Sequence, residues 1–275
     1  MNDQLHVTSD IITVKGPLPG PTVAIIGGMH GNELTGVHAL KNILPKLQLK
    51  RGTLHAAYAN VRAIEQGVRQ LDKNLNRCFI AGSSGTGYEE TRARQLMAVL
   101  DKSDALLDIH GYSDPDGEPF VICEDNAIDI ATTLDINIIS TNWSKAEPGA
   151  SDGYMYETGK IGICFESGPL SRSKEYTPKA EKAIYQFLKY FDLVDTPVKY
   201  STTPKRIVEA RTSVIRTGEH YYLDPSLRNF QRLTPGQVFG KDEDKQFVAG
   251  HDECIIFPSP SARIGAEAFI LGKER

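Results

Sequence analysis

The sequence predicts an α/β layered domain built on a mixed sheet, followed by a small β-rich C-terminal domain. Three observations carry this. Short apolar runs alternate with amphipathic stretches over the first two-thirds of the chain. Glycine or proline bounds many of those runs. Near Tyr200 the alternation gives way to short runs broken by Gly, Pro and Asp, with little helical period. A chain of 275 residues exceeds a minimal domain, which fits one large unit and one small. The expected units are 1–197 and 198–275, with "DTPVKYSTTPK" (Asp195–Lys205) as the linker.

The first clear element is "TVAIIGG" (Thr22–Gly28), a β-branched apolar run between Pro21 and glycines, which reads as a buried strand. Leu34, Val37, Leu40 and Leu44 then recur at helical spacing, with Asn32 as the expected cap. Further strands are expected at Thr53–Asn60, Ala105–Gly111, Pro119–Cys123, Ile136–Ser140 and Ile161–Gly168. Tyr88–Ser103 reads as a helix. So does Thr177–Phe191, capped by Thr177, with Pro178 at its first position and Ile184, Phe187, Leu188 and Phe191 on one face.

A formal net charge of −4, without a concentrated basic surface, excludes a general nucleic-acid binder. No apolar run approaches the ~20 residues a membrane-spanning helix needs. The N-terminal "MNDQLHVTSDIITVKG" lacks the cationic start and apolar centre of a secretory signal. Cys78, Cys123, Cys164 and Cys254 lie far apart without a C-x-x-C pair. That fits neither a thiolate zinc site nor a disulfide framework, and points to reduced thiols in the cytoplasm.

The first strand ends in "GGMHGNE", which contains the chain's single His-x-x-Glu, His30 and Glu33. Zinc accepts imidazole nitrogen and carboxylate oxygen together, and α/β enzymes place ligands where strands meet the loops at their carboxyl ends. His110 closes the predicted strand "ALLDI", and Asp108 lies two residues earlier on the same face, as an acceptor that would orient a ligand histidine. Glu166 interrupts the apolar strand of "CFESGP". A carboxylate there is costly unless solvated, paired or used, and it suits a general base. In "VRQLDKNLNR" (Val68–Arg77), Lys73 belongs to a solvated face, while Arg69 and Arg77 suit fork-like recognition of a carboxylate. His38, His220, His251 and Glu253 fall outside these motifs and are assigned no chemistry; Trp143 is assigned to packing.

"GGMHGNE", "RQLDKNLNR", "DIHG" and "FESGP", in this order, resemble the succinylglutamate desuccinylase/aspartoacylase family of zinc carboxypeptidase-like hydrolases. The resemblance spans most of the first 200 residues. It implies a zinc carboxypeptidase-like layered domain with a β-rich C-terminal domain, and one Zn2+ held by His30, Glu33 and His110. It also implies Glu166 as general base and acid, Arg69 as the group polarising the acyl carbonyl, and Asn76 with Arg77 gripping the substrate's carboxylate. The implied activity is hydrolysis of the linear amide of an N-acyl amino acid, a small carboxylate-bearing molecule. Two alternatives share parts of this set: a carboxypeptidase-like hydrolase of short peptides, and a non-catalytic metal- or ligand-binding module. Three departures bear on substrate choice. Asn74 replaces the second aspartate of the family's D-x-D-L-N-R motif and removes a charge near the arginines. Tyr156 stands where aspartoacylases carry a specificity arginine, and "PSPSARIGAEAF" offers no counterpart to their C-terminal tyrosine. N-acetylaspartate is therefore not the expected substrate. Whether the chain forms a homo-oligomer is open on the sequence alone.

Overall fold

The β-branched and leucine-rich runs become the centre of a large sheet, because a strand covered on both faces must be apolar at every position. The computed structural model describes residues 10–275, so most of the segment assessed above for a secretory signal lies outside the described residues. The strands of the first part are β1 (Ile11–Lys15), β2 (Leu18–Gly27), β3 (Arg51–Tyr58), β4 (Ala105–Tyr112), β5 (Phe120–Cys123), β6 (Ile138–Thr141) and β7 (Ile161–Pro169). Between them lie α1 (Leu34–Ile43), α2 (Val61–Gln66), α3 (Tyr88–Leu100), α4 (Ile128–Thr133), α5 (Trp143–Ala146) and α6 (Ser151–Glu157), and after them α7 (Ser173–Tyr190). The remainder is β8 (Arg206–Ile215), β9 (Tyr221–Leu223), β10 (Gln231–Arg232), β11 (Val238–Asp242), β12 (Lys245–Val248), β13 (Glu253–Ile256) and β14 (Glu267–Glu274).

Among the described residues, eleven strands form one mixed sheet in the order β1-β3-β2-β4-β7-β5-β6-β8-β14-β13-β10. Its centre, β3-β2-β4-β7, is parallel, and β5 runs antiparallel to β7. The period of two along each strand sorts the core into layers. Val23, Ile25, Leu107, Ile109, Ile163 and Phe165 face α1 and α7, where Leu40, Ile43, Ile184 and Phe187 meet them. Ala24, Ile26 and Leu106 face the opposite layer, with Leu96, Met97 and Leu100 of α3 and Met155 of α6. Asp108 and His110 share the face of Leu106, and Cys164 and Glu166 lie opposite Ile163 and Phe165. The chemistry-bearing side chains of β4 and β7 therefore emerge on one side of the sheet.

The β-rich C-terminal part is present, and its strands β8, β14, β13 and β10 extend the main sheet through a parallel pairing of β6 with β8. A separate sheet, β12-β11-β9, closes over a core of Phe239, Phe247 and Phe269. Among the described residues no helix is long and apolar enough to cross a membrane.

Two expected caps are corrected. Glu33, not Asn32, holds the position before α1, and no side chain caps that end. The Glu33 carboxylate is instead turned toward His30 and His110. α7 begins at Ser173, a turn before Thr177, so Pro178 lies inside it. The earlier start is held by the buried Tyr176 ring, by the Arg172–Glu175 ion pair, and by the Thr177 hydroxyl donating to the Ser173 carbonyl at 2.8 Å.

Candidate active site

Three neighbouring parallel strands, β2, β4 and β7, end side by side and deliver the site. His30 and Glu33 lie in the turn from β2 into α1, His110 near the end of β4, and Glu166 beside His110 in the β4–β7 register. All four are buried. The His30–Glu33 turn is tight because Gly31 sits against the α2 backbone: a Cβ there would meet the Ala63 carbonyl carbon at 2.2 Å.

Glu33 is the hub. Its Oε1 lies 2.7 Å from His30 Nδ1 and accepts from Arg69 Nη1 at 2.9 Å. Its Oε2 lies 3.0 Å from His110 Nδ1 and accepts from the Gly111 amide at 3.1 Å. Burial pushes this carboxyl up, but the charge of His30 and the bonds from His110 and His30 outweigh it, leaving Glu33 well below the usual carboxylate range. His110 shifts the other way. Burial alone would lower it, yet Asp108 and Glu33 hold it well above the ordinary histidine value.

The far nitrogens of both imidazoles face acceptors. His30 Nε2 is 2.9 Å from Asn74 Oδ1, which also accepts the Asn76 amide at 3.0 Å; that second bond fixes which end of the Asn74 side chain is oxygen. His30 Nε2 thus donates to Asn74, and Nδ1 is directed at Glu33. The replacement of aspartate by Asn74 bears on His30 rather than on the arginines. His110 Nε2 lies 3.2 Å from Asp108 Oδ2, close enough for charge pairing but poorly aligned for a hydrogen bond. Asp108 Oδ2 accepts from the Ser151 hydroxyl at 2.5 Å.

His30, Glu33 and His110 each offer a donor atom within 4.8 Å of the others. Two imidazoles, His30 oriented by Asn74 and His110 with Asp108 beside its second nitrogen, plus one ionised carboxylate, form a donor set that fits zinc. A second trio, His110, Cys164 and Glu166, is equally close but shares His110. Burial and the nearby Glu166 push the Cys164 thiol well up, which disfavours the thiolate form that binds a metal.

Glu166 Oε2 is buried and has no hydrogen-bond partner among the described residues. Burial pushes the carboxyl up to about 8; the positive charges of His110 and Arg69 oppose this, while Glu33 adds to it. Arg69 is half-exposed at the mouth, tied in by its carbonyl, which accepts from the Gly31 amide at 3.0 Å. Asn76 is buried, with Oδ1 accepting the Ser151 amide at 3.0 Å. Arg77 donates to the Asn76 carbonyl at 2.7 Å and pairs with Glu147. His30, Glu33, Arg69, Asn76, Arg77, His110 and Glu166 all line one cavity of about 820 Å³, while Asp108 lies behind His110 outside the lining. Trp143 is buried as expected, donating to the Ser140 hydroxyl, and its edge also lines this cavity. Glu147, Asp152 and Glu267 line it as well, and no motif marked them. Tyr156 is exposed and does not line it.

Residues 19–191 match the succinylglutamate desuccinylase/aspartoacylase catalytic domain, and residues 218–275 match the AstE/AspA barrel-sandwich hybrid domain. The chain belongs to the succinylglutamate desuccinylase/aspartoacylase family. Within it, the chain is 28% identical to a "Probable aspartoacylase" from Nostoc sp., over 62% of this chain and 64% of that protein. It is 28% identical to an N-acyl-aromatic-L-amino acid amidohydrolase (carboxylate-forming) from Xenopus tropicalis, over 54% of each. The chain thus spans less than two-thirds of either relative. The fold is that of succinylglutamate desuccinylase from Vibrio cholerae, with a TM-score of 0.81 over 96% of this chain and 85% of that one, at 18% identity.

Proposed function

We propose that this family member hydrolyses the amide bond of an N-acyl amino acid, releasing a carboxylate and the free amino acid. One observation carries the reading: the partnerless Glu166 Oε2 lies beside the buried His30–Glu33–His110 donor set in a single cavity. A module that only bound a ligand would have no use for such a base.

In this reading His30, Glu33 and His110 hold one Zn2+, with Asn74 and Asp108 fixing the imidazoles. The chemistry such a cation supplies when bound is Lewis-acid activation of water and of the acyl carbonyl. Glu166 takes a proton from the attacking water and returns it to the departing amine nitrogen. Arg69 offers its remaining N–H groups to the acyl oxygen, where negative charge develops. Asn76 and Arg77 anchor a carboxylate on the amine side. The four cysteines, all unpaired and buried, support a reducing compartment, the cytoplasm.

The test is a hydrolysis panel of N-acyl amino acids and short peptides, with and without chelator, on wild type and Glu166→Gln. Wild type is expected to turn over N-acyl amino acids only when loaded with metal. Glu166→Gln is expected to keep its zinc and lose about 10²–10⁴-fold in rate. Turnover of peptides alone would replace this reading by the peptidase one. Loss of zinc in Glu166→Gln would reverse the assigned roles.

A further inference from the structure

Arg77, the carboxylate-gripping residue of the reading above, does not stand alone in the cavity. Its guanidinium pairs with Glu147, from the loop between α5 and α6. Glu147 in turn lies within hydrogen-bonding reach of Glu267, the first residue of β14, whose Oε2 also accepts from the Ser213 hydroxyl of β8 at 3.1 Å. Glu147 and Glu267 both line the catalytic cavity. Three distant segments thus converge on one cation and two carboxyl groups at the amine-side end.

Two carboxyl groups this close do not both ionise. They share one proton, and the asymmetry shows which of them keeps it. Burial, with the bond and charge of Glu147, pushes Glu267 up to about 8. Burial also raises Glu147, but the bond from Glu267 and the charge of Arg77 outweigh it and hold Glu147 below the ordinary value. A proton held between two carboxyls occupies the place of a cation. The other arginines lining the cavity do not neutralise this end: Arg69 is bound to Glu33, and Arg228 donates to the carbonyls of Pro225 and Leu227. An independent sign that the cavity receives a ligand is Glu166, which lines it and whose buried Oε2 has no partner among the described residues.

We propose that Glu147 and Glu267 form a subsite for a cationic side chain, so that the preferred substrate is an Nα-acyl amino acid ending in an ammonium or guanidinium group. This rests on the deacylase reading, since Arg77 places the amino acid's carboxylate, and hence its side chain, beside these two residues. The arriving cation displaces the shared proton to solvent and leaves both carboxylates ionised and paired. A substrate with an acidic side chain meets two carboxyl groups here, and is rejected.

The test compares Nα-acetyl-L-lysine and Nα-acetyl-L-ornithine with the neutral Nα-acetyl-L-norleucine and with N-acetyl-L-aspartate, on the zinc-loaded protein. The cationic substrates are expected to exceed norleucine by at least about tenfold in kcat/KM, with aspartate lowest. In Glu267→Gln that ratio is expected to fall toward one. Calorimetry of L-lysine and L-norleucine, in buffers of different ionisation enthalpy, reads the subsite without turnover. Lysine is expected to bind more tightly and to release about one proton at pH 7, and Glu267→Gln to abolish the release. Preference for neutral or acidic side chains, or a cationic preference untouched in both Glu267→Gln and Glu147→Gln, overturns the subsite. If no substrate is hydrolysed, the deacylase reading fails instead, and the lysine–norleucine comparison still decides the subsite.

Discussion

Glu33 Oε2 lies 3.0 Å from His110 Nδ1 although 77 positions separate the two residues in the chain. The same carboxylate reaches His30, Arg69 and the Gly111 amide, so one buried charge fixes the geometry of most of the site. Replacing Glu33 by Gln keeps the shape and removes the charge. Zinc per chain, measured by atomic emission after dialysis, is expected to fall well below one. The metal-free protein is expected to lose about 3–5 kcal/mol in urea denaturation, the cost of stranding a buried partner charge. Full zinc content in Glu33→Gln would show that the cation sits elsewhere.

With Glu166 as the proposed base, the acid limb of the pH–rate profile is expected to follow its ionisation. A general base works deprotonated, so kcat/KM is expected to rise with pH through its ionisation. Burial sets that ionisation at about 8 in the protein alone. A bound divalent cation favours the carboxylate, so the limb of the zinc enzyme is expected below 8. It is expected to vanish from the residual rate of Glu166→Gln; a limb unchanged in that variant would assign it to another group.

Asp152 is a buried carboxyl raised to about 6 by burial and by the charge of Asp108. Its folded value lies above its unfolded one, so its penalty is absent below about pH 4 and grows to its full size as pH rises past 6. Asp152→Asn in the metal-free protein is therefore expected to gain ~1–3 kcal/mol over wild type at pH 7. The gain is expected to disappear near pH 4. Urea titrations at the two pH values check this, and an equal effect at both would place the cause in packing rather than charge.

Gly31 lies between the donors His30 and Glu33 and sits against the backbone of α2. Its added Cβ would lie 2.2 Å from the Ala63 carbonyl carbon and 2.4 Å from the Ile64 nitrogen, atoms that cannot yield without moving the helix. Gly31→Ala is expected to cost ~1–3 kcal/mol and to weaken zinc binding. Gly153, inside α6, meets nothing nearer than 3.9 Å, so Gly153→Ala is expected to add ~0.5–1 kcal/mol. Thermal denaturation and zinc titration of both variants separate the two cases.

Much of the site was legible before any coordinates. A His-x-x-Glu after a glycine-bounded strand, a histidine closing a second strand and a glutamate inside a third break the apolar pattern where breaking it is expensive. Period-two alternation put His110 with Asp108. The sequence could not show that β2, β4 and β7 lie side by side, because strand order depends on which faces pack, not on local pattern. Nor could it show Asn74 beneath His30, or Glu147 and Glu267 meeting behind Arg77. Those side chains lie in polar stretches that look solvated in the sequence. Local periodicity and composition determined the elements and the chemically active strand ends. Only long-range packing, which takes unmarked carboxyls from distant segments out of water and against one another, decided how the donors converge and what charge the cavity presents.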